Sequence, residues 1–353
     1  MRLFLLILCL GSVLQGAEIT ALSGSGEHIQ KALERAQPGD TVTIPSGTYR
    51  FRGGVSFPTG VFLRGAGQDK TVLNLTGEHR FGFILDGENG LKGRISGMTI
   101  RGIAPGKASG IKLVNSCRDF RIDHITFTRC HNEAVEVHGD ARGVVDNCSF
   151  IDNWAYGVVV FGRGDLSWKN KLIFGTEEAV FVEDCYFEQR NINGFQRGHH
   201  IASNNGSRYV FRYNVIKDGD VRAQAVDAHG NKYYWPRGSR SFEIYGNNIQ
   251  VGSRWVGMNI RGGDGLIFNN RFSGTYSVAH IHVMHECRKN EGSCSYPCID
   301  QTRVLHIWNN TSGSVRARIH IRHPELIKER RDWFHSPPED YTPFRYPHPL
   351  RKE

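Results

Sequence analysis

From Gly110 to Asn310 the apolar and polar positions repeat one phrase: alternating apolar residues, an Asn or Asp, then a large apolar residue. It reads DFRIDHITF to Phe127, GVVDNCSF to Phe150, VFVEDCYF to Phe187, YVFRYNVI to Ile216, FEIYGNNI to Ile249 and LIFNNRF to Phe272. A period in the low twenties with irregular excesses predicts a coiled β-solenoid carrying loop insertions. Upstream of the phrases lie further short strands: 110–115 (GIKLVN), 134–139 (AVEVHG), 157–162 (GVVVFG), 199–204 (HHIASN), 225–230 (AVDAHG), 258–263 (MNIRGG) and 280–285 (HIHVMH). Strand side chains alternate, so Val135/Val137, Val158/Val160, Val226/Ala228 and Ile281/Val283 are predicted to fill the core. The residues between them face out. Stacked, they give a field of Lys112, Glu136, His138, His200, Asp227, His229, Arg261 and His282 over one groove. An ordinary solvent face carries Lys, Glu, Thr and Ser, so imidazoles gathered with Asp and Arg point to chemistry.

The two ends of the chain differ from the repeat. Met1-Arg2, the apolar run 3–10 and small or polar residues to Ala17 predict a signal peptide over 1–17, and hence a secreted or periplasmic protein. The rest of the chain has no second hydrophobic span, so no membrane insertion is expected. Residues 26–36 form an amphipathic helix with Ile29, Ala32, Leu33 and Ala36 on one face, ended by Pro38-Gly39-Asp40. The strand TVTIPSGTY follows. This succession of helix, PGD, strand and PSGTY resembles the opening of right-handed parallel β-helix proteins of the pectate-lyase-like superfamily. The resemblance implies an all-β fold, one right-handed parallel β-helix over 18–323, with the helix covering the first coil's open edge. It does not fix the activity, because that superfamily hosts lyases, hydrolases, epimerases and inert adhesins. From about Pro324 the chain leaves the repeat and becomes rich in rings and prolines. Residues 324–353 are expected to form an extended tail along the solenoid that covers its C-terminal end.

Charge and cysteines narrow the class. A formal charge of +9 on an exported protein points to an acidic partner. The groove row favours an acidic polysaccharide over nucleic acid, acted on by a monomer. Cys148 and Cys185 fall two residues before the closing Phe, like Ile125 one turn earlier, and are expected as stacked core thiols. Cys287, Cys294 and Cys298 cluster in one insertion, where export favours a disulfide; a zinc site with His282 and His285 is the alternative.

The long insertions carry Trp154, Trp168, Tyr233, Tyr234, Trp235 and Trp255, rings that stack on sugars or pack the loops. They also carry Arg222, Arg237 and Arg240, suited to paired hydrogen bonds with carboxylates. Asp227-Ala228-His229 resembles the Asp-Pro-His-Asp motif of mannuronan C5-epimerases, where Asp and His serve proton removal at C5. Here Ala228 replaces Pro, Gly230 replaces the final acid, and Gln224 stands where a catalytic Tyr would. Proton abstraction beside a carboxylate needs a base and a group that neutralises the enolate. His200 or His229 suits the base, Arg261 the neutralising group, and Asp227 the orientation of an imidazole. Lys112, Glu136, His138, His199, Arg222, Arg237 and His282 are the expected substrate contacts. Loss of the 4-linked sugar from the enolate is a lyase reaction; reprotonation is epimerisation. A hydrolase requires facing carboxylates, for which Asp227 with Asp264 or Glu136 are the pairs. The Gly-His-Gly and Arg-Ile-Lys signatures of polygalacturonases are absent, and Arg322-His323-Pro324 runs on to Ile327 rather than the Arg of pectate lyases. Arg121-Ile122-Asp123-His124 resembles a pectate-lyase phrase but sits inside the ordinary repeat, so it reads as structural. No cofactor is expected; calcium stays open as an alternative through Glu136, Asp227 and Asp264. A polysaccharide lyase is the favoured reading, with a glycan-binding adhesin, a hydrolase or an epimerase as its rivals.

Overall fold

The computed structural model describes residues 16–88, 92–103, 108–190, 199–221, 223–231, 235–287 and 295–352. The candidate signal peptide up to residue 15, Arg222, Tyr233, Tyr234 and Cys294 lie outside the described residues.

The recurring phrase is one rung of a parallel β-helix. Its closing residues pair in register from coil to coil: Phe127 with Phe150, Phe187, Ile216, Ile249 and Phe272 in turn. The first three rings stack nearly parallel at 5.1 and 4.6 Å. Three residues earlier the chain turns between two sheets through a left-handed residue: His124, Asn147, Asp184, Tyr213, Asn269 and Asn309 all have φ of 50–57°. Asn and Asp tolerate that region best, which is why they punctuate the phrase. The next residue points inward and forms a ladder of Ile125, Cys148, Cys185, Asn214, Asn247, Asn270 and Asn310. Asn214, Asn247 and Asn270 each donate an amide N–H to the Oδ1 of the next Asn at 2.9–3.0 Å, and Asn310 donates to the Ile267 carbonyl at 2.8 Å, so this polar column is satisfied inside the coil. Cys148 and Cys185 are buried free thiols, as the repeat predicts.

The upstream strands build a second face, the groove sheet. Lys112, Glu136, Val159, Ala202, Asp227, Asn259 and His282 lie in one unbroken row. Val135, Val137, Val158, Val160, Val226, Ala228, Ile281 and Val283 are buried beneath it. A further inward row meets the phenylalanine stack and has little space. A Cβ on Gly157 would come within 3.0 Å of the Phe187 ring.

At the N-terminal end, α1 (Gly26–Arg35) is capped by Ser25 and buries Ile29, Ala32 and Leu33. At the other end one expectation is corrected. Trp333–Phe334 still pair with Leu305 and His306, so the coil extends beyond Pro324. Leu326, Ile327 and Trp333 are buried in the core at that end, and the tail then runs back along one flank. Arg212 donates to the carbonyls of Phe344 at 2.6 Å and Arg345 at 3.0 Å, and Arg121 donates to that of Arg351 at 3.1 Å. The physical reason lies in that flank, where Val144, Phe181, Val210, Tyr245 and Leu266 form an apolar cluster that the rings of Tyr341 and Phe344 cover. The Arg121–His124 phrase sits on this flank, with Arg121 on Asp146 and Arg94 on Asp123. Cys298 is disulfide-bonded and Cys287 carries a free thiol. Among the described residues no helix is long and apolar enough to cross a membrane.

Candidate active site

The groove sheet brings Asp227, His229 and Arg261 together. Asp227 is 1% exposed. Arg261, from the next rung, grips it with two hydrogen bonds, Nε to Oδ1 at 2.9 Å and Nη2 to Oδ2 at 2.6 Å. The third guanidinium nitrogen, Nη1, donates to Glu286 Oε1 at 2.7 Å. His229 Nε2 lies 3.1 Å from Asp227 Oδ2, and its Nδ1 lies 3.6 Å from Glu286 Oε2. On the other side His199 Nδ1 approaches the same Asp227 oxygen at 3.8 Å, and its ring stacks on Tyr156 at 5.3 Å. Two imidazoles therefore flank one buried carboxylate oxygen.

Their surroundings divide them. Burial drives His199 down from 6.5 to about 4, and the attraction of Asp227 does not restore it. Burial also disfavours charge on His229, and Arg261 opposes it. The pull of Asp227, followed by hydrogen bonding to Asp227 and Glu286, outweighs both and raises that imidazole above its usual value. Burial opposes the charge on Asp227, but Arg261 and then His229 hold its carboxyl well below the usual range. Two neighbouring titratable groups pushed apart in this way suit complementary acid and base roles.

Several expectations are corrected. His200 does not face the groove. It occupies the cramped inward row, 1% exposed, packed on Phe187 and bonded to Asp218 at 2.8 Å, with Arg254 on the same carboxylate at 2.6 Å. Its neighbour His199 takes the outward place, because the strand begins one residue out of the assumed alternation. Arg261 is turned to its protein partners rather than to a substrate acid, since each of its three nitrogens bonds Asp227 or Glu286 and Nη2 also lies 2.5 and 2.7 Å from the ring nitrogens of His229. Arg237 turns away from the groove to bond Asp300 and Asp165 and lies over Trp168. Asp264 belongs to another sheet and pairs with Arg240 at 3.0 Å. Glu136 sits three rungs from Asp227, about 14 Å at the usual strand spacing, too far for a facing pair of hydrolase carboxylates. Neither proposed hydrolase pair is assembled.

Lys112, Glu136 and His138 form a separate cluster at the N-terminal side of the groove. Glu136 Oε1 takes Lys112 Nζ at 3.0 Å and His138 Nε2 at 2.6 Å. The floor between the clusters is Val159 and Ala202. Phe161 stacks between His138 and Trp235, each at 4.7 Å. His282 lies two rungs beyond Asp227, bonded to Asn259 at 2.8 Å, and burial lowers it to about 4. Trp255 meets its edge at 5.4 Å and Trp154 stacks on His131, so these rings pack against the coil.

Two residues escaped the sequence reading. Glu286 follows the strand bearing His282, at the start of the cysteine-rich insertion and outside the repeat, and Tyr156 opens a strand whose other residues look purely apolar. Glu286 explains one departure from the epimerase motif. A Cβ on Gly230 would meet the Glu286 and Arg261 carbonyl oxygens at 2.5 and 2.6 Å, so the second acid comes from the insertion after residue 283. Among the described residues no group of three His, Cys, Asp or Glu is placed to hold a metal ion.

A family profile described as right handed beta helix region matches residues 60–235. Among solved structures, the alginate lyase from Paenibacillus sp. str. FPU-7 superposes with a TM-score of 0.56 at 13% identity, covering 91% of this chain and 99% of its own. DFA-IIIase from Arthrobacter chlorophenolicus A6 in complex with DFA-III gives 0.50 at 14% identity, covering 84% and 72%. At these identities the likeness is one of fold. No curated protein matches the chain.

Proposed function

We propose, from the premise that this chain is a right-handed parallel β-helix protein, that it is an exported lyase cleaving an acidic polysaccharide by β-elimination. The observation that carries the reading is the pair of imidazoles on Asp227 Oδ2, one kept neutral and one inclined to charge. Neutral His199 takes the C5 proton of a uronate unit lying over Val159 and Ala202. Asp227 orients its ring, and the present 3.8 Å gap closes when substrate fills the groove. His229, whose ring nitrogens face Asp227 and Glu286, stabilises the enolate through its nearby positive charge rather than by a direct hydrogen bond. The C4–O bond then breaks, the C4–C5 double bond forms, and the proton passes from His199 to the departing oxygen. Arg261 and Glu286 are positioning residues that hold Asp227 and His229. Lys112 and His138 contact units further along the chain.

Alginate heads the substrate panel because a lyase named for it shares the fold; pectate, hyaluronan and chondroitin complete it. Cleavage is followed by ultraviolet absorbance of the new double bond. A rise in wild type that disappears in His199→Ala and His229→Ala supports the reading. No rise on any of the four polymers, with tight binding to one, replaces it by a glycan-binding role.

A further inference from the structure

We propose that a crevice between α2 (Asp165–Lys169) and the loop 297–303 is a second binding site, for the acid group of a saccharide unit beyond the reacting one. The proposal rests on the groove being an acidic-saccharide site and adds where the polymer goes next. The crevice has a volume of about 350 Å³, at the lower end of the roughly 300–1,000 Å³ typical of ligand sites. That is room for a single sugar unit.

Its charge is unbalanced. Asp165, Lys169, Arg237, Asp300 and Arg303 all line it. Asp300 is buried and spent: its Oδ1 takes Arg237 Nε at 2.7 Å and its Oδ2 takes the Gly238 N–H at 2.6 Å. Asp165 takes Arg237 Nη1 at 2.8 Å. Arg237 bonds both acids but balances the charge of only one, and the exposed Lys169 and Arg303 leave the crevice with one positive charge in excess. The Arg303 backbone is fixed by its N–H on Asp264 Oδ1 at 2.9 Å, so its side chain projects from a held base. The Trp168 wall is held too, its indole N–H donating to the Gly238 carbonyl at 3.2 Å beneath the Arg237 guanidinium. A planar guanidinium beside a point-like ammonium in a walled cleft suits a carboxylate or a sulfate ester.

Position ties the crevice to the groove. Gly238, which holds both Asp300 and Trp168, is followed by Ser239, whose N–H donates to the His229 carbonyl at 2.8 Å. The Asp300 carbonyl accepts from Gly263 N–H at 3.1 Å, two residues past Arg261. The crevice therefore opens where the strands bearing His229 and Arg261 end.

The test is calorimetric titration of the full chain with a hexauronate and, separately, with a sulfated glycosaminoglycan oligosaccharide, at low and high salt. In the double variant Lys169→Ala/Arg303→Ala the bound class should weaken by about 10-fold or more and lose part of its salt dependence. The charge-keeping variant Lys169→Arg/Arg303→Lys should retain most of the affinity, and both variants should melt like wild type. Which ligand suffers identifies carboxylate or sulfate as the recognised group. Unchanged affinity for both ligands in the double variant overturns the proposal, as does equal loss in the charge-keeping variant. If no polymer is cleaved by wild type but the double variant loses binding, the crevice stands and the elimination reading falls. If cleavage proceeds and the double variant matches wild type in binding and kcat/KM, the crevice falls alone.

Discussion

The groove sheet carries an acid-x-His pair twice, Glu136/His138 and Asp227/His229, on rungs of the same row. At the first pair the cation comes from the preceding rung: Lys112 lies 3.0 Å from Glu136, and Arg80 adds a longer contact at 3.5 Å. Burial opposes the Glu136 charge, and His138 and then Lys112 overcome it and lower its carboxyl. At the second pair the cation comes from the following rung and is forked, a second carboxylate enters from outside the repeat, and a second imidazole faces the first acid. The motif alone is a by-product of outward alternation on any rung. On the reading proposed above, the added neighbours are what would separate a substrate contact from a site of proton transfer.

The largest contrast should appear in stability. Arg261→Ala strands two buried carboxylates and should cost about 3–5 kcal/mol by urea unfolding, whereas Lys112→Ala leaves Glu136 with His138 and Arg80 and should cost about 1 kcal/mol or less. Equal losses would erase the distinction between the two clusters. Next comes turnover. His229→Ala should lower kcat by about 10²-fold or more, with unchanged circular dichroism, while His138→Ala should act mainly on KM.

The pH profile sharpens the comparison further. His199 is held near 4, below its ordinary 6.5, so its neutral form is the folded one. The stability it contributes is complete above 6.5 and is lost as pH falls towards 4; His282 and His348 add in the same direction. His229 is raised, so its contribution is complete below 6.5 and is lost as pH climbs through its folded value. Elimination should follow a bell with its acid limb near pH 4 and its alkaline limb above 6.5. The smallest effect is a shift: Glu286→Gln removes one support for the His229 charge and should move the alkaline limb down without moving the acid one. A stationary alkaline limb would deny Glu286 its positioning role.

The architecture was readable because each rung repeats the same turn chemistry. A left-handed Asn or Asp, an inward ladder residue and a closing ring recur at Asn147-Cys148-Phe150 and again at Asn269-Asn270-Phe272. Asp227, His229 and Arg261 were readable for the same reason, since alternation fixes which residues share a face. His200 was misplaced because a strand start is where alternation has no anchor, and one step exchanges the core-facing ring for the groove-facing one. Glu286 was not readable at all, because an insertion has no period to place it. The tail's aromatic composition announced that it packs, but its route depends on buried arginines in distant coils, which no local pattern encodes.

The clasp formed by that tail has a consequence for how the protein is made. Arg121 meets the Arg351 carbonyl across a separation of 230 residues, so coils built early in synthesis keep an oily flank bare until a much later stretch emerges. Val144, Phe181 and Val210 are thus unprotected during translation, and a chain interrupted before Tyr341 would offer them to its neighbours in solution.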